Sequence, residues 1–294
     1  MDKKLMTMVT SLAVGGTLLL GATYVNASQV SGYEAYKNAI KNTVSLKNET
    51  ANLKIAVVDN GKNLMDLSSN TKLDLADKAM SSVTSVQFGG ETKTFENYIQ
   101  DGKSITKASN SDEYWVRENR HMDLNEINKT GNSTVQKSVE VIIDTLVGSM
   151  QNKVLATDNA GGTKTINIDL KENEVTPLVN ALTSLAFAHD GPKHFSEVRN
   201  DKQAMADHKM LIPQFQGDVK VKAVTATVDV NQDQIITKQV TTILLSGQDE
   251  QGTQHEIAFK LDLGLSDINK TTADQVDLNG KNVKNVSFKH EVER

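Results

Sequence analysis

The sequence predicts an α+β fold, an antiparallel β-sheet with amphipathic helices packed on one face. Three observations predict it. Residues 133–150 carry a helical stripe, in which Val135, Val139, Ile142, Leu146 and Met150 recur at steps of three or four. On either side lie runs of alternating apolar and polar residues, punctuated by Asn60-Gly61, Gly89-Gly90 and Asp101-Gly102. Hydrophobic content is 38% and aromatic content 4%, so a core must be built mainly from aliphatic side chains and Met.

The first residues indicate export. Lys3 and Lys4 precede an uncharged segment over 5–25, and Val25-Asn26-Ala27 offers small residues for cleavage before Ser28. An uncleaved anchor is the competing reading. Gly15, Gly16, Gly21 and several threonines make the segment weak for that role. The expected organisation is a signal peptide over 1–27 and a single domain over 28–294. No later run approaches the ~18 apolar residues of a membrane span, so none is expected after cleavage. There is no cysteine, which excludes disulfides, thiolate metal sites and a lipobox. The formal net charge is −5, about −6 once Asp2, Lys3 and Lys4 are removed. With Lys and Arg dispersed, a nucleic-acid partner is not expected.

Taken in order, Ser31 with Glu34 opens a helix over about 32–46, with Tyr33, Tyr36, Ile40 and Val44 on one face. Strands follow from about Glu49, with Leu53, Ile55 and Val57 alternating before the first turn. About six antiparallel strands run in a meander to residues 114–117. Ser133 and Gln136 form a capping box for the long helix, which Ile143 and Val147 flank. A hairpin around Gly161-Gly162 pairs 154–155 with 163–170. Thr176 as N-cap and Pro177 at the first turn start another helix, with Leu178, Leu182 and Leu185 apolar. Residues 219–230, 235–246 and 255–263 form a closing meander. The tail has a turn at 277–280 and a short edge strand after it.

Motif fragments point to no enzyme. Ser104-Ile105-Thr106-Lys107 and Lys129-Thr130-Gly131 match pieces of the penicillin-binding signature. Ser104 lies in a strand-like run, however, where it and Lys107 face opposite ways. Asp229, Asn231 and Asp233 have the spacing of calcium-loop ligands. Gln234 replaces the glycine and Val240 the closing glutamate, so a hairpin turn is expected. His189, Asp190, His194 and His208 fall close together, but their spacing on an irregular loop fixes no ligand geometry. No catalytic residue, metal or cofactor is expected.

The order of elements (helix, meander, helix, hairpin, helix, closing meander) resembles the LolA/LppX-type lipoprotein-carrier superfamily. The tracts at 246–252 and 278–281 also resemble the end of small exported proteins of Gram-positive bacteria. The carrier resemblance implies a half-barrel of about ten curved strands closed by helices on its concave face. It also implies a lipid or other apolar small molecule as ligand. The expected ligand wall comprises Val135, Val139, Ile142, Leu146, Met150, Leu182 and Leu185. Stripes of this kind are more commonly plain core. The competing class is an extracytoplasmic protein-interaction module with a filled core, using the sheet edge or residues 189–213. The protein partner is then unknown. For the export reading, intact-mass analysis of protein from the medium or cell wall should give a chain starting at Ser28. A membrane-retained chain that keeps 1–27 would contradict it.

Overall fold

The computed structural model describes residues 32–118, 151–177, 180, 213 and 215–286. Among them are the helix α1 (Gly32–Thr43), three short 3-10 turns and twelve strands. The first six are β1 (Asn48–Asp59), β2 (Lys62–Asp74), β3 (Ala79–Phe88), β4 (Glu91–Gln100), β5 (Lys103–Ala108) and β6 (Glu113–Glu118). Then come β7 (Val154–Asp158), β8 (Lys164–Lys171), β9 (Phe215–Val230), β10 (Ile236–Asp249), β11 (Gln254–Ser266) and β12 (Asn282–Asn285). All lie in one sheet of order β12-β6-β5-β4-β3-β2-β1-β11-β10-β9-β8-β7. The sheet is open, since β12 and β7 end that order. It is mixed rather than purely antiparallel, because β12 runs parallel to β6. It also has more strands than the ten expected. The half-barrel expectation thus holds as a large, open and mainly antiparallel sheet.

The turns explain why the meander is so regular. Asn60 and Gly61 both have positive φ (48° and 82°), as do Asp101 and Gly102 (50° and 68°). Two such residues give the primed turn whose twist matches the flanking strands. Alternation then sorts side chains by face. On β1 Leu53, Ile55 and Val57 are buried while Asn52 and Lys54 are exposed. Pairing carries that choice outward, with Ile55 opposite Leu67 on β2 and Leu261 on β11.

The face that carries α1 is called inner here. Tyr33, Tyr36, Ala39 and Ile40 of α1 join Ile166, Ile168 and Leu170 of β8 and Val224, Ala226 and Val228 of β9 in the largest core cluster. A Cβ on Gly32 would stand 2.2 Å from the Val154 carbonyl oxygen, so the helix start lies directly on the β7 backbone. At the other end Thr43 Oγ1 accepts the Ile236 N–H at 2.9 Å, and Asn42 Nδ2 donates to the Asp233 carbonyl at 3.3 Å. These bonds fix α1 to the β9–β10 turn. Val44 lies past the helix end and is exposed, which corrects its expected place on the buried face. A second helix does open at Pro177, where the Asn180 N–H reaches the Thr176 carbonyl at 3.2 Å. The helix expected over 133–150 lies outside the described residues.

The outer face has its own cover at one end. After β11 the chain crosses β1, β2, β3 and β4 as an extended strap before adding β12 to β6. Thr271 Oγ1 meets Thr50 Oγ1 at 2.8 Å, and Asp274 pairs with Lys72 Nζ at 2.7 Å. Gln100 Nε2 donates to the Val276 carbonyl at 3.0 Å. Val276, Leu278 and Val283 then pack on Ile105, Tyr114 and Val116. The edge strand expected after 280 is therefore present, tied by the strap to the far side of the sheet. Ile166 has 0% exposure, so Ile166→Ala should destabilise by about 2–5 kcal/mol in urea unfolding. Val240→Ala, at 41% exposure, should stay within about 0.5 kcal/mol. Equal effects would contradict the assignment of faces.

Candidate functional site

The seven residues expected to line a ligand, Val135, Val139, Ile142, Leu146, Met150, Leu182 and Leu185, all lie outside the described residues. So do His189, Asp190, His194, His208 and residues 129–131. The described part holds the inner face of the sheet. Leu53 and Ile55 of β1, Leu67 of β2, Val86 of β3 and Leu263 of β11 form a second apolar cluster. Ala51, Met65, Leu261 and Leu265 flank it. Register explains it. Leu53 faces Leu263, Ile55 faces Leu67, and Leu67 faces Val86, all on the inner face. The helix α1 packs chiefly on β7, β8 and β10, so this strip lies beyond its main footprint. Its five members are nonetheless only 3–8% exposed. Further along the same face the row turns polar, with Ser69 Oγ meeting Thr84 Oγ1 at 2.8 Å and Thr106 Oγ1 donating to Asn97 Oδ1 at 3.0 Å.

Glu49 stands on the same face of β1, one alternation before Ala51. Its strand partner is Leu73, which in turn faces Met80. Oε2 is closed from solvent and receives no hydrogen bond from any described group. Burial pushes this carboxyl up to about 7. Sequence reading passed over it, because a lone glutamate at a strand start carries no pattern.

A charged cluster closes the opposite end of β1. His255 Nδ1 lies 2.8 Å from Asp59 Oδ2, and its Nε2 lies 3.2 Å from Asp249 Oδ2. With a carboxylate on each ring nitrogen, both must donate, which requires the imidazolium. Burial lowers the affinity of the ring for its proton, but the bonds and charges of Asp59 and Asp249 outweigh it, and the net shift is upward. For Asp249 burial acts the other way, upward. The N–H groups of Thr253 and Gln251 and the His255 ring overcome it and hold the carboxyl down. Phe215 packs edge-on to His255 at 6.1 Å. The Phe215 ring also overlies Gly247, where a Cβ would be 2.6 Å away.

The penicillin-binding fragment separates as expected. Ser104 faces Ile99 and Arg117 on the inner side, whereas Lys107 faces Tyr114 on the outer side. Asn231 builds the expected hairpin turn, its Oδ1 accepting the N–H groups of Asp233 and Ile235 at 3.0 and 2.9 Å. On the outer face an open trough of about 530 Å³ runs from β4 to β10, lined in part by Lys54, Asp66, Lys260 and Asp262. Lysines and aspartates alternate across the strands there, the arrangement of a solvated sheet face. No group of His, Asp and Glu side chains among the described residues is arranged to hold a metal ion. No helix among them is long and apolar enough to cross a membrane.

The upward shift at His255 has a definite sign in stability. Its contribution is fully present below the unfolded value of about 6.5 and is lost as pH rises through the higher folded value. The stability advantage of wild type over His255→Asn should therefore shrink as pH rises above ~6.5 in urea titrations. An advantage that grows over that window would contradict the imidazolium.

Comparison with known proteins adds little to this. No protein-family model matches the chain, and no curated protein matches it. Among solved structures, the chain is similar to a beta-barrel-like protein of a domain of unknown function, DUF1849, from Brucella abortus. The match covers 76% of this chain and 99% of that one, at 11% identity and a TM-score of 0.19. At that TM-score the architecture of this chain stands on its own strand pairing.

Proposed function

We propose that the chain is an exported, non-enzymatic binding protein that holds a lipid or other apolar ligand against the inner face of its sheet. The carrying observation is the strip Leu53, Ile55, Leu67, Val86 and Leu263. It is a contiguous, buried aliphatic cluster from four adjacent strands, without an aromatic member. Unbranched methylene chains pack well on such a surface, each buried methylene contributing about 0.8 kcal/mol. The stripes of Val135, Val139, Ile142, Leu146 and Met150 and of Leu182 and Leu185 supply the opposite wall in this reading. That is the arrangement of a LolA/LppX-type half-barrel. Export follows from the signal-like residues 1–27. The non-enzymatic reading is supported by His255, whose two ring nitrogens are both committed to carboxylates.

A second reading has its own observation. The strip is nearly closed from water, as a filled core would also be, and the edge strand β7 presents Leu155 at 63% exposure. Among the described strands β7 ends the sheet, and an edge with an apolar side chain suits a protein partner that adds a strand. Native mass spectrometry and solvent extraction of protein purified from its own host separate the two. Co-purifying lipid in about stoichiometric amount is expected. Absence of lipid together with failure to take up any hydrophobic probe would leave the interaction module. Leu146→Asp should abolish uptake while a parallel unfolding curve shows the chain still folded.

A further inference from the structure

We propose that Glu49 anchors the head of the ligand, and that the ligand is an amphiphile with an ammonium head on a long alkyl chain. This rests on the apolar-ligand reading above and names the chemistry of that same site. Alternation on β1 puts Glu49, Ala51, Leu53 and Ile55 in line on the inner face. At about 3.3 Å per residue, Glu49 lies roughly 20 Å from Ile55, the scale of an extended alkyl chain. The line thus runs from a carboxyl into an aliphatic strip.

Among the described residues one oxygen of this carboxyl, Oε2, has no hydrogen-bond partner, and it is closed from solvent. The cross-strand neighbours on its face are Leu73, Met80 and, one step along, Leu265, none of which can donate a hydrogen bond. The same transverse row continues through Ile99 and Ser104 to Arg117, whose strand lies five places from β1. A buried acceptor of this kind is satisfied by a donor that arrives with the ligand. An ammonium brings both the donor and the opposite charge, and forms the stronger, charge-assisted bond. A carboxylate head would instead set two acids together.

The test uses the mature full-length chain and three probes of equal chain length: dodecylamine, dodecanol and dodecanoate. Affinities are measured by displacement of a fluorescent apolar dye, for wild type, Glu49→Gln, Glu49→Leu and the exposed control Glu91→Gln, with an unfolding curve for each. Dodecylamine should bind wild type and Glu91→Gln at least about tenfold tighter than dodecanol, with dodecanoate weakest. In both Glu49 variants the amine-to-alcohol ratio should fall to within about twofold. Equal binding of amine and alcohol to wild type would overturn the inference and leave the apolar site standing. An amine preference that survives in both Glu49 variants would overturn it as well. If no probe binds, the inference and the apolar-site reading fall together.

Discussion

The structure depends on the pairing of β1 with β11. Strands β1–β6 form one run of hairpins, while β9–β11, with the β7–β8 hairpin at the far edge, form another. Among the described residues, only the register from Thr50↔Ser266 to Asp59↔Ile257 makes them one sheet. It joins residues far apart in the chain, so its loop-closure entropy must be offset by what the pairing creates. What it creates is a shared inner face, with Leu53 beside Leu263 and Ile55 beside Leu261. A slip of one residue would turn those side chains outward and bury Lys54 and Asp262. Both ends of the pair are pinned. Asn60 bonds Gln254 and Glu256 at the end where His255 meets Asp59, and Asn48 bonds Asn269 and Thr271 at the other.

The two faces are finished by different means. Under α1 the inner face is a dense aliphatic core with one buried polar thread, in which the Tyr36 hydroxyl donates to Gln239 and Gln239 donates to Thr241. Burial drives the Tyr36 phenol well above its ordinary range despite the bond to Gln239, so it stays a donor. On the outer face the strap makes side-chain bonds to Asn48, Thr50, Lys72, Ser81 and Gln100 in succession. A segment with few apolar residues is held there by polar contacts, then by Leu278 and Val276 at its end.

Most of the sheet was legible in the sequence because its signals are local. The Asn60-Gly61 and Asp101-Gly102 turns and the alternation at Leu53, Ile55 and Val57 each declare a strand without reference to the rest. What could not be read is non-local. Nothing in residues 282–285 says that they pair in parallel with β6, because that follows from the strap's path across the sheet. The β1–β11 register, and hence the strip, was illegible for the same reason. The His255 cluster unites Asp59, Asp249 and His255 from three strands, and only its two hairpin turns were visible beforehand. Glu49 was missed because its meaning lies in its apolar neighbours rather than in its own spacing. Val44 misled because a helical period was carried past the point where α1 stops.

The claim that the inner strip is a ligand surface, distinct from the core under α1, is tested most directly by methyl-resolved NMR during addition of a long-chain alkyl ligand. The account predicts that methyls of Ile55, Leu67, Val86 and Leu263 shift in proportion to occupancy, while those of Ile166 and Ile168 stay in place. Methyls of the strip that remain unmoved at saturating ligand, or shifts confined to exposed residues such as Leu155 and Val240, would contradict it.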